Sequence, residues 1–281
     1  MPATFGESRP AVTAPTPPIP PAFALEDVSA GEQAREIHRL VCSEIWGGIG
    51  PVNRDVSTGH LVASVYSVAV GGGRGGDIYY LSLCSTDLLT RIAVADVRGH
   101  GESVTLVSSW VYDALRAQMN TRAGEQVLSD LNGKICARGF EAMTTAAVLT
   151  YDIGRSCLYF CYAGHPPAMV WRPDGGWRRL ENCEAQDASN LPLGVRASAV
   201  YEQGAVPMTS GDRLVMFTDG LLDAEDTQGE PFGEERLLRV LKGEGGTSIS
   251  RIKHAVLGSL LDHTKNVPLA DDVTLLAAEI Q

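Results

Sequence analysis

Apolar residues recur along this chain in two rhythms, each broken by glycine or charged residues. Alternation and short apolar runs predict strands at 61–70 (LVASVYSVAV), 77–84 and 90–96. A strand pair follows at 144–151 and 155–162, turned by Asp152-Ile153-Gly154-Arg155, with further strands at 167–172, 176–180, 212–218 and 272–279. A rhythm of three and four residues marks helices. One runs from Glu102 to Met119 with Val104, Val107, Val111 and Leu115 on one face; the next, Glu125 to Arg138, carries Leu128, Leu131 and Ile135. Two more are predicted at 233–242 and 248–263.

Near the start, Ile37, Leu40, Val41 and Ile45 lie at helical spacing and predict a helix over 32–45, stopped by Gly47 and Gly48. Residues 1–25 are rich in Pro, Ala and Thr and are expected to form a disordered tail. The chain thus divides into that tail, an N-terminal helix and connector over 26–58, and one domain over 59–281. Strands, two helices, many strands, two helices and a last strand describe an α+β domain whose helices cover antiparallel sheets, not a βαβ alternation.

Composition narrows the classes of function. The chain has 281 residues, 44% of them hydrophobic, enough for a sizeable core. Its 34 acidic against 23 basic residues leave a net charge of −11 with no basic run, which argues against a nucleic-acid partner. Cysteines at 42, 84, 136, 157, 161 and 183 form no CxxC pair, so a structural zinc site has no support. No apolar stretch reaches the length of a membrane span and no secretory leader is evident, so a cytoplasmic location without a membrane partner is expected.

Against that background four aspartate-bearing segments stand out: GGDIYY (Asp77), VADVRGHG (Asp96), MFTDGLLDAE (Asp219) and ADDVTLL (Asp271, Asp272). Each carboxylate ends or flanks an apolar run, where an acid is costly unless something positive compensates it. One Asp-Gly alone is an ordinary turn. Four together, without a matching His or Cys cluster, point to hard divalent cations, Mg²⁺ or Mn²⁺, and two such ions can clamp a phosphoryl group. The loop GGGRGGD lacks the Lys-Ser/Thr of a nucleotide-binding P-loop, and no GxSxG elbow is present.

Taken in order, GGDIYY, DVRGHG, YAGHPPAMVW, LPLGV, SGDRLVMFTDGLLDAED, FGEERL and ADDVTLL resemble the metal-dependent PPM Ser/Thr phosphatases, and most closely their bacterial SpoIIE-like branch. The resemblance spans about residues 60–280. It implies an α-β-β-α sandwich of two antiparallel sheets flanked by helices, with two Mn²⁺ or Mg²⁺ ions at one end. By position Asp77, Asp96, Asp219 and Asp271 resemble the ligands, Asp96 bridging the two metals, and Val97 supplies a backbone carbonyl; Asp272 is left without a role. The implied reaction is direct in-line hydrolysis of phosphoserine or phosphothreonine. The implied partner is a signalling phosphoprotein such as an anti-anti-sigma (STAS-type) protein. A catalytically silent, phosphoprotein-binding relative is the alternative, although it has no physical reason to keep four repelling carboxylates together.

Three departures carry expectations of their own. Tyr80 stands where the branch has a second acid, so altered hydrogen bonding behind the metals is expected. Arg98, two residues after Asp96, is either a phosphate ligand or a solvated turn residue. Arg74 likewise either reaches substrate phosphate or faces water. His165 is expected to brace the loop between strands. The 32–45 helix either packs on its own domain or makes a homodimer.

Overall fold

The computed structural model describes residues 37–181, 190–265 and 267–281. The tail expected over 1–25 lies outside them. Two sheets face each other. One has seven strands in the order β1-β3-β4-β13-β12-β9-β10, the other six in the order β11-β8-β7-β6-β5-β2. These are β1 (His38–Arg39), β2 (Ile45–Gly48), β3 (Val52–Ser57), β4 (Leu61–Val68), β5 (Asp77–Leu83), β6 (Leu89–Val97), β7 (Thr144–Asp152), β8 (Cys157–Ala163), β9 (Met169–Arg172), β10 (Gly176–Arg179), β11 (Gln203–Pro207), β12 (Arg213–Phe217) and β13 (Val273–Ile280). Every pairing is antiparallel except that of β1 with β3. The helices are α1 (Thr105–Arg116), α2 (Gly124–Arg138), α3 (Asp219–Asp223), α4 (Gly233–Gly243) and α5 (Ile249–Thr264).

Strand alternation builds three apolar layers. Leu81, Leu83, Ile92, Val94 and Leu149 of one sheet meet Ala63, Val65, Leu214, Met216 and Leu276 of the other between the sheets. Residues one position out of phase, Ile78, Tyr80, Ala93, Ala95 and Val148, pack against α1 and α2 through Val111, Leu115, Leu128 and Leu131. On the far side Val215, Phe217, Leu275 and Ala277 receive Leu237, Leu241, Ile252 and Val256 of α4 and α5. The result is the expected α-β-β-α sandwich.

Two expectations are corrected. No helix spans the described part of 32–45. Leu40 is buried, but Ile37 and Val41 are exposed and Ser43 is left-handed at φ 64°, which breaks a helical run. Residues 38–57 instead give strands to both sheets, β1 and β3 beside β4 and β2 beside β5. Helix propensity lost to the hydrogen bonds that each sheet edge offers, and the helix-mediated dimer loses its basis. Tyr80, in turn, faces the helical layer, fully buried, on the side of β5 opposite Asp77. It cannot tune the acidic cluster by direct contact.

Candidate metal centre

The alternation that makes the inter-sheet core also makes the site. On β5 and β6 the inward positions end in Asp77 and Asp96, which are direct cross-strand partners. Asp219 begins α3 just past β12, and Asp271 and Asp272 precede β13. All five carboxylates therefore gather where the two sheets end together. Asp77 and Asp272 are buried, while Asp96, Asp219 and Asp271 are half-buried toward the opening.

Their protonation chemistry records mutual repulsion. Burial pushes Asp77 up to about 8, with Asp272 and Asp271 adding to the rise against hydrogen bonds from Thr274 and Thr218. Burial pushes Asp96 up to about 9, and the charges of Asp77, Asp219, Asp271 and Asp272 raise it further. Asp219 and Asp271 are raised as well, first by burial and then by acidic neighbours.

Asp272 stands apart because protein donors hold it on every side. Its Oδ1 accepts from the Val70 amide at 2.7 Å and its Oδ2 from the Gly76 amide at 2.6 Å. The Gly101 amide reaches both oxygens at 3.2 Å, from a left-handed backbone at φ 62°. One buried carboxylate thus ties the glycine-rich turn, the turn after Asp96 and the start of β13 together. Asp272→Ala is expected to lower the unfolding free energy of the metal-free protein by about 3 kcal/mol or more, because three amides lose a charged acceptor. Urea denaturation measures it, and a loss below about 1 kcal/mol would show that water replaces the carboxylate.

Other hydrogen bonds fix the remaining groups. Thr218 Oγ1 donates to Asp77 Oδ2 at 2.8 Å and accepts from the Thr274 amide at 2.9 Å, while Thr274 Oγ1 lies 2.9 Å from Ser67 Oγ. Asp271 Oδ1 accepts from the Asp272 amide at 2.8 Å. Gly76 passes so close to the Val97 carbonyl that a Cβ would sit 2.6 Å from its oxygen. His165 braces its loop through Nδ1, 2.9 Å from Thr145 Oγ1, and burial pushes its imidazole down to about 4, so it stays neutral at neutral pH. Arg74 and Arg98 are exposed at the rim.

Sequence reasoning missed Thr218, Thr274 and the task of Asp272. A signal for the threonines was present: each continues the inward phase, after Leu214 and Met216 on β12 and before Leu276 and Ala278 on β13.

The donor set is carboxylate and carbonyl oxygen, which suits a hard divalent cation. Among the described residues, no three or more His, Cys, Asp or Glu side chains form a group able to hold an ion by themselves. Mg²⁺ characteristically keeps several waters and takes only one or two carboxylates, so an open acidic cluster is the arrangement it fits.

Fold and acidic cluster together define a PP2C-type phosphatase domain. Among solved structures, the PP2C phosphatase domain of SpoIIE from Bacillus subtilis superposes with a TM-score of 0.66 at 20% identity, over 78% of this chain and 63% of that one. RsbX in complex with magnesium gives 0.60 at 18% identity, over 82% of this chain and 100% of that one. Identities this low speak to the fold alone. The model of the family described as stage II sporulation protein E (SpoIIE) matches residues 87–281, and the chain belongs to that family. The phosphoserine phosphatase RsbP of Bacillus subtilis (strain 168) is 26% identical over 196 residues, 68% of this chain and 45% of RsbP. The chain spans about half the length of the curated relatives it matches.

Proposed function

We propose that this protein is a divalent-metal-dependent phosphatase of phosphoserine or phosphothreonine in a bacterial signalling phosphoprotein, such as an anti-anti-sigma factor. One observation carries the reading: four carboxylates, Asp77, Asp96, Asp219 and Asp271, converge where the two sheets end, each raised first by burial and then by acidic neighbours. They and the Val97 carbonyl would hold two Mn²⁺ or Mg²⁺ ions. Bound ions supply an activated water and neutralise the phosphate dianion. The chain's own residues orient the site: Thr218 and Thr274 fix Asp77, Asp272 fixes the surrounding turns, and Arg98 and Arg74 attract the phosphate at the rim. Support for the substrate class comes from RsbP, itself a phosphoserine phosphatase, and for the ion from RsbX, which binds magnesium.

The direct test is hydrolysis of p-nitrophenyl phosphate and a phosphoserine peptide with Mn²⁺, Mg²⁺ or EDTA. Turnover with metal and none with EDTA is expected. A folded protein that binds Mn²⁺ calorimetrically yet turns over neither substrate would instead be a silent binder.

A further inference from the structure

One lip of the acidic cluster carries apolar side chains that the fold leaves uncovered. Phe140, in the short turn after α2, is 57% exposed, and the Arg98 guanidinium lies 4.6 Å over its ring centre. The stack is tied firmly to the site. The Arg98 amide donates to the Met143 carbonyl at 2.9 Å, directly beyond the pairs Val97 with Thr144 and Asp96 with Thr145. Gly194 packs against Ile135 and the backbone of Met143, the residue whose carbonyl accepts the Arg98 amide, and the next residue, Val195, is exposed. Arg138, two residues before Phe140, stacks 4.6 Å from the ring centre of Trp110. Glu141 is also here, its carboxylate folded back beside Gly139.

We propose that Arg98, Phe140 and Val195 form a ledge for the residues that flank the phosphoserine of a protein substrate. The inference rests on the phosphatase reading and adds to it a preference. A chain of net charge −11 repels a phosphorylated protein, so the Arg98 guanidinium, stacked on Phe140, gives this lip a positive group for an anionic segment. A guanidinium stacked on a ring keeps its in-plane N–H groups free for phosphate. The exposed part of the Phe140 ring takes an apolar side chain. Guanidinium and ring are in direct stacking contact, so that side chain belongs close to the phosphoserine in sequence.

The test compares two phosphoserine peptides, one with leucine at the flanking positions and one with glycine and serine there, beside p-nitrophenyl phosphate. The wild type is expected to prefer the leucine peptide by about tenfold in kcat/KM. Phe140→Ala is expected to remove that preference while p-nitrophenyl phosphate turnover stays within about twofold. Val195→Ser should weaken the preference in the same sense. Equal treatment of both peptides by the wild type, or a preference that survives Phe140→Ala, overturns the ledge alone. So does an equal loss on all three substrates in Phe140→Ala. No metal-dependent turnover of any substrate by the wild type sinks the phosphatase reading, and the ledge falls with it.

Discussion

Asp96→Asn is expected to abolish turnover and, in the metal-free protein, to leave stability unchanged or raise it. Both effects have one cause. Asp96 is the carboxylate that burial and four acidic neighbours press hardest, with a pKa raised to about 9. Replacing it by a neutral isostere removes repulsion among the clustered carboxylates and removes an anionic oxygen that would hold a metal ion. Loss of a group that stabilises charge in the transition state costs roughly 10²–10³-fold, and loss of Asp96 should cost at least that if it holds the metal. Mn²⁺-dependent hydrolysis of p-nitrophenyl phosphate and a thermal melt in EDTA read the two effects separately. A variant that keeps activity would remove Asp96 from the metal site. One that loses activity and also melts well below the wild type would make Asp96 a structural residue.

The second large effect is a stability that falls with rising pH until metal is supplied. Burial and then acidic neighbours push Asp77 up to about 8 and Asp96 up to about 9, against about 3.9 for an unperturbed aspartate. The folded state therefore binds more protons than the unfolded state across that window. Stability from this source is complete below about pH 4 and is lost as pH climbs through the folded values. In EDTA the melting temperature should drop by about 5 °C or more between about pH 6 and pH 9. Millimolar Mg²⁺ should flatten the profile, because the cation stabilises the ionised cluster that protons otherwise neutralise. A flat profile in EDTA would mean that the carboxylates are compensated by something other than protons.

Much of this was legible in the amino-acid pattern, and the reasons differ by element. The strands from β4 to β8, and β13, came through because their apolar runs are long and bounded by glycine or turn residues. Helices α1, α2, α4 and α5 were legible because each carries one apolar face. The N-terminal strands were not. Ile37, Leu40, Val41 and Ile45 fit a helix by spacing, yet β1 and β2 exist only because β3 and β5 offer them hydrogen-bonding partners. Tyr80 was misjudged for a related reason: its place in the motif suggests proximity to Asp77, but a separation of three residues on a strand points the two side chains to opposite faces.

Local pattern thus determined which residues are acidic, that the long apolar runs of β4 to β8 and β13 become strands, and that the aspartates suit oxygen-ligand metal chemistry. Those properties depend on residue type and on spacings of a few positions, so one dimension suffices. Only the tertiary structure decided that Asp272 is held by three amides from two distant turns. It also decided that Thr218 locks Asp77 across the gap between sheets and that Phe140 stands uncovered beside Arg98. Those outcomes turn on contacts between segments about 40 to 200 residues apart, set by how the two sheets pack, and no local periodicity encodes them.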